Sequence, residues 1–164
     1  MSDAMSARYR RWFEYEVDSH QKVLASLATV PAEQHDSAAY RKAVELLAHI
    51  VAGRQIWLHR LDATTDAPSA LFPQGGSLDQ VKADLSAIEL RWIDYLARLT
   101  DAELARVFEY RSYDGGRFRN RVEDVLTQMF GHSLYHRGQI AMLVRSAGGE
   151  PAKTDFVFWA REAL

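Results

Sequence analysis

The stretch Val125-Leu-Thr-Gln-Met129-Phe-Gly-His132-Ser-Leu-Tyr-His136-Arg-Gly-Gln139-Ile140 decides the fold, because it reads as one long helix carrying two imidazoles on its apolar stripe. Val125, Met129, His132, His136, Ile140 and Leu143 step by four, three, four, four and three residues, which keeps them on one face. The other members of the stripe are apolar, so both histidines are predicted to face the interior. Residues i and i+4 lie one turn apart, with Cβ atoms roughly 6 Å from each other. Two nitrogen donors placed that way suit a shared metal ion.

Working outward, this helix is predicted over Arg121–Ala147, stopped by Gly148-Gly149 and Pro151. Before it, Phe108 and Tyr110 alternate with polar residues, then Asp114-Gly115-Gly116 supplies a tight turn into Arg117-Phe118-Arg119. That pattern predicts a short two-stranded hairpin. Three more helical periods precede it. One covers Tyr9–Thr29 and ends at Pro31. The second covers Ala39–Leu61, after the capping pair Asp36-Ser37, and the third covers Leu78–Leu99, capped by Ser77. The linker 62–76 is rich in turn residues, including Pro68, Pro73 and Gly75-Gly76. Phe156, Val157, Phe158 and Trp159 make the tail apolar enough to pack on the body or on a partner. Trp12, Trp57, Trp92 and Trp159 fall one to each helix or tail and are expected in the core or an interface. The fold class is therefore all-α: a four-helix bundle with a short β-hairpin before the last long helix, in one domain over residues 1–164.

Composition narrows the function. The 164 residues are 48% hydrophobic and 26% charged, as in ordinary globular proteins. The net charge of −2 gives no basic surplus for nucleic-acid phosphates. There are no cysteines, which removes disulfides, zinc–thiolate and iron–sulfur sites and cysteine nucleophiles. No run approaches the roughly 20 apolar residues of a membrane helix, and the N-terminus lacks a signal-peptide core. A cytoplasmic protein is expected, with neither membrane nor nucleic-acid partners. Glu-x-x-His pairs, a phosphate-binding loop, Gly-x-Gly-x-x-Gly and Gly-x-Ser-x-Gly are all absent, which sets aside the di-iron bundle, nucleotide sites and serine hydrolases.

In the second helix, Leu46, His49, Gly53, Ile56 and Arg60 share a face. His49 is thus the third candidate ligand. If His49, His132 and His136 converge, three neutral nitrogens leave one to three positions for water or substrate, the pattern of a catalytic site. Zinc suits a tetrahedral arrangement; nickel, iron, manganese or cobalt suits a more open one. The competing reading is of buried histidines with structural partners. Gly53 either makes room at that site or allows close helix packing. Glu45, one turn before His49, is a supporting residue or a solvated charge. Arg137 points about 100° away from His136 and is expected to be structural. His20, His35 and His59 are expected at the surface.

Three stretches resemble the DinB/YfiT-like superfamily of metal-dependent bundle proteins. His132-Ser-Leu-Tyr-His136-Arg-Gly-Gln139 is similar to that family's H-x-x-x-H-R-G-Q motif. His49, with Trp57 eight residues on, is similar to its second-helix pattern, and Tyr9 to Trp12 together with Pro151 to Phe156 are looser matches. The resemblance implies up-up-down-down connectivity, a homodimer, and a divalent metal on His49, His132 and His136. Some members of the family are thiol-dependent transferases or isomerases that use a low-molecular-weight bacterial thiol. Others are known as products of damage- or stress-responsive genes. The first functional expectation is thus a metalloenzyme, with zinc or nickel foremost, that activates a thiol or water for transfer to a small-molecule electrophile. The alternative is a non-catalytic metal-binding stress-response protein acting through a partner.

Overall fold

The computed structural model describes residues 4–163; residues 1–3 and 164 of the expected domain lie outside the described residues. The four expected long helices are α1 (Ala4–Ala28), α2 (Ala38–Arg60), α3 (Leu78–Ala97) and α5 (Val122–Ser146). Ser37 and Ser77 cap α2 and α3, each side chain accepting the backbone N–H three residues on, from Tyr40 and Gln80. This satisfies a donor that the first helical turn leaves open. A short helix α4 (Asp101–Ala105), capped by Thr100, was not expected from the sequence. The hairpin pairs β1 (Val107–Arg111) with β2 (Arg117–Arg121) antiparallel, Tyr110 opposite Phe118. Gly115 sits at φ +88°, the left-handed conformation that its turn position requires.

The apolar stripes meet in one core, in which Leu27, Leu47, Ile50, Leu58, Leu85, Trp92 and Ile140 are almost wholly buried. The tail forms helix α6 (Phe156–Ala160) and folds back on α1: Tyr15 meets Phe156 and Trp159 edge-on, and its hydroxyl donates to the Thr154 carbonyl. Among the described residues, no helix is long and apolar enough to cross a membrane.

Helix directions follow from end-to-end contacts. The start of α1 meets the end of α3 and the segment after it, through Ser6 N–H to Asp101 (3.0 Å) and Arg10 to the Leu99 carbonyl (3.0 Å), so these helices are antiparallel. Tyr9 meets Thr127 at 2.8 Å and Ser26 donates to the Glu150 carbonyl at 2.7 Å, so α1 and α5 are parallel. His49 faces His136 while Gly53, one turn on, lies against His132, so α2 opposes α5. The bundle therefore runs up, down, down, up, which corrects the up-up-down-down order implied by the resemblance. The physical reason is loop length. The short α1–α2 connection reverses the chain, whereas the linker 61–77, at about 3.3 Å per residue, is long enough to run back along α2, itself about 34 Å long. Helix α3 then starts parallel to α2.

Candidate metal centre

The antiparallel packing of α2 on α5 brings the three candidate imidazoles to one point. The Nε2 atom of His132 lies 3.0 Å from that of His49 and 3.1 Å from that of His136. One ligand nitrogen from each ring falls within 4.8 Å of the others. A nitrogen-bound zinc at about 2.0–2.1 Å sets neighbouring ligand atoms roughly 3.0–3.4 Å apart, so two of the three separations already match. His49 and His136 are buried and His132 is partly so. Among the described residues, no Asp or Glu joins the cluster.

The outer ring nitrogens explain how the site is oriented. His49 Nδ1 donates to the Leu71 carbonyl, and His136 Nδ1 donates to Gln139 Oε1 at 2.7 Å. Carbonyl and amide oxygens only accept, so both protons sit on Nδ1 and both Nε2 atoms carry lone pairs. The three inner nitrogens then share at most one proton, that of His132. A hydrogen bond can satisfy one neighbour, whereas a cation at that point satisfies all three. The donor set and its outer partners thus fit a divalent ion. At His132 and His136 protonation does not compete at neutral pH. Burial, then the neighbouring His136, His49 and Arg54, holds His132 down at about 4. Burial also lowers His136, against the opposing pull of Gln139.

Neighbouring residues shape the surroundings. Phe72, from the linker, stacks on His49 with ring centroids 4.1 Å apart, and Tyr135 meets His136 edge-on. A cavity of about 140 Å³ adjoins His49 and His132, walled by Ile56, Trp57, Leu71 and Met129. Trp57 is therefore a cavity wall as well as a packing residue. A Cβ on Gly53 would lie 3.5 Å from the His132 ring, ordinary contact distance. The glycine gives the ring room without being sterically required. Glu45 is half-buried, 3.8 Å from Lys42, and does not join the imidazole cluster.

Sequence reasoning missed three of these residues. Gln139 stands three residues after His136, so the same spacing rule that paired the histidines identifies it. Leu71 and Phe72 carried no signal beyond being apolar in a polar linker. One expectation about charge also changes. His20 is wholly buried, not on the surface, with Nδ1 2.8 Å from Glu89 Oε1. Burial, aided by Arg54 and Arg137, holds its pKa well below the usual histidine value. Burial pushes Glu89 up to about 7 against the pull of Arg54. Arg137 is structural as expected, but its partners are on the first helix: Tyr15, whose hydroxyl accepts at 2.8 Å, and Glu16 at 3.9 Å. Arg54 bridges Glu16 and Ser133, next to His132, at 2.8 and 2.9 Å. A buried ionic cluster therefore backs the imidazoles. His35 is exposed and His59 half-buried, and neither joins the triad.

Comparison with known proteins agrees with this architecture. The sequence model described as the DinB family matches residues 1–163. The chain is similar to Protein DinB of Bacillus subtilis (strain 168), 22% identical over 157 residues that cover 88% of each protein. It is also similar to the crystal structure of a DinB-like protein from Bacillus cereus ATCC 10987, with a TM-score of 0.66, 17% identity, and coverage of 88% of this chain and 94% of that one.

Proposed function

We propose that this chain, which belongs to the DinB family, is a metal-dependent enzyme that activates a thiol, or water, for transfer to a small-molecule electrophile. The observation that carries the reading is the convergence of three Nε2 atoms whose outer partners leave them as lone-pair donors, beside a cavity. His49, His132 and His136 would hold the ion; zinc or nickel suits three imidazoles best, with iron or manganese next. When bound, a divalent ion supplies Lewis acidity, which lowers the pKa of a thiol or water reaching it. The chain's own residues do the rest. Leu71 and Gln139 fix two rings, Phe72 shields His49 from water, and Ile56, Trp57 and Met129 form an apolar wall that favours the uncharged body of a substrate. The absence of a fourth His, Asp or Glu in the cluster among the described residues favours a catalytic over a closed structural site.

The test is elemental analysis of the purified protein, titration of zinc and nickel into chelated protein, and assay of thiol conjugation to a model electrophile. One equivalent of metal and metal-dependent turnover, both lost in His132→Ala, is expected. Stoichiometric metal with no turnover across several thiols overturns the catalytic reading and leaves the alternative, a metal-binding stress-response protein acting through a partner. Full fold without metal uptake overturns both. The enzyme is further proposed to be a cytoplasmic homodimer built from one domain over residues 1–164. Exposed Leu134, Tyr135 and Met142 on α5 support the dimer, as do Val157 and Phe158 on α6. Sedimentation showing only an 18.7 kDa species removes it.

A further inference from the structure

The second-helix stripe His49, Gly53, Ile56, Arg60 continues past the triad, and its last member has no role in holding an ion. Gly53 lies against the His132 ring. Arg60 stands two turns further along α2, about 10 Å away. Its side chain leans back over the preceding turn, as helical side chains do, with the guanidinium 4.8 Å from the Trp57 ring and 4.6 Å from the Tyr110 ring. Arg60 lines the 140 Å³ cavity beside the triad. It also lines an open groove of about 830 Å³ between the end of α2, the linker and the hairpin. It therefore stands where the two spaces meet.

The charge at that position is unmatched. Arg60 Nη2 donates to the Arg111 carbonyl at 3.2 Å, and its Nε is buried with no partner. Among the described residues no carboxylate pairs with it: Glu109, on the same groove, is held by Arg117 at 2.8 Å, and Asp62 lies beyond ion-pair distance. Arg111, exposed on the neighbouring strand, adds a second positive charge to the groove. A half-buried guanidinium held between two aromatic faces keeps its planar fork in one orientation, and such a fork matches a carboxylate.

We propose that Arg60 anchors the substrate's carboxylate: the site takes a small organic acid from the hairpin groove, its carboxylate on the Arg60 guanidinium and its other end in the cavity at the three imidazoles. The volume, roughly five waters' share of liquid, admits a short acyl chain and excludes a nucleotide. The inference deepens the proposed function and rests on it for the chemistry at the triad, but Arg60 is read separately.

The test uses metal-depleted full-length protein with hexanoate as the acid and hexan-1-ol as its uncharged counterpart. Nitrogen–proton correlation spectra follow the Arg60 Nε–H and the Trp57 indole N–H. Saturable shifts of both by hexanoate are expected, with affinity roughly tenfold to a hundredfold above hexanol, the range of a charge-assisted hydrogen bond. Arg60→Gln removes that preference and leaves hexanol unchanged; Arg60→Lys keeps part of it. Equal binding of acid and alcohol, an Arg60 signal that hexanoate does not move, or undiminished preference in Arg60→Gln overturns the proposal. The wild-type spectra decide the matter even if a variant does not fold. A chain that shows the preference but takes up no zinc refutes the metalloenzyme reading and leaves the Arg60 site standing.

Discussion

Among single residues, Gln139 carries the most telling correction. The Arg-Gly-Gln that follows His136 is legible in sequence as a family signature, and the structure gives two of its three residues local work. Arg137 enters the buried ionic cluster, and Gln139 Oε1 accepts the proton of His136 Nδ1. Outer partners of this kind typically contribute about 10- to 100-fold in metal affinity. Gln139→Ala is therefore expected to weaken zinc binding by about that factor with little change in unfolding midpoint, because Gln139 is only partly buried. Gln139→Glu, which still offers an acceptor, should restore the affinity. Competition with a chromophoric chelator reads both, and an unchanged affinity in Gln139→Ala would show that the ring is oriented by packing alone. Gly53 argues the other way. Its open side meets the His132 ring at ordinary contact distance, so Gly53→Ala should gain up to about 1 kcal/mol of helix stability and retain the metal. Loss of the metal in that variant would mean that the ring needs the space to move. The three histidines were legible because spacing reports which residues share a face. Leu71 and Phe72 were not, since a linker has no period from which to infer its neighbours.

Between elements, the deciding contacts are buried charges, and these were the least legible part. A helical period predicts an inward face but not what it meets. Glu16, Arg54 and Arg137 come from α1, α2 and α5, and each is about 3% exposed or less. His20 and Glu89 add a fourth helix, α3. Read along the chain, each is an ordinary charged or polar residue among apolar ones. Packed, two guanidiniums face the Glu16 carboxylate, with Arg54 also tied to Ser133 beside the imidazole cluster. Removing the shared carboxylate leaves both cations buried and under-compensated. Glu16→Ala is expected to cost about 3–5 kcal/mol, the range for breaking a buried pair, measured by urea unfolding at pH 7. A cost below about 1 kcal/mol would show that water reaches the cluster and screens it. The hairpin is the opposite case. Asp114-Gly115-Gly116 specifies its own turn locally, and strands flanking it form where the alternation places them. Helix α4 escaped notice because five residues hold too little of a 3.6-residue period to stand out.

At the scale of the whole molecule, the same buried groups make stability depend on pH in a direction that can be worked out. His20, His132 and His136 are all depressed below the usual histidine value of 6.5, His132 to about 4. In the unfolded chain they take up protons as pH falls through 6.5, while the folded chain refuses them. The unfolded state then binds more protons, so stability rises with pH and falls on acidification. Glu89 opposes this. Its pKa of about 7, raised from 4.5 by burial, means that the folded state takes a proton first as pH drops below 7. That stabilises the fold between 7 and 4.5. From pH 7.5 to 6.5 Glu89 in the fold and the three histidines of the unfolded chain take up protons together, so the opposing contributions largely cancel and the metal-free protein should change little in stability. From 6.5 to 5 three histidines act against one carboxylate, and the urea midpoint should fall. Glu89→Gln removes the opposing contribution, so its midpoint should already begin to fall above pH 6.5 and should fall more steeply than the wild type below it. Zinc should raise the wild-type midpoint, because only the folded chain brings the three imidazoles together to bind it. Urea titrations of metal-free and zinc-loaded protein at pH 7.5, 6.5 and 5 measure all three effects. A midpoint that rises between pH 6.5 and 5 in the metal-free wild type would mean that these imidazoles are charged in the fold, and the proposed metal site would lose its neutral nitrogen donors.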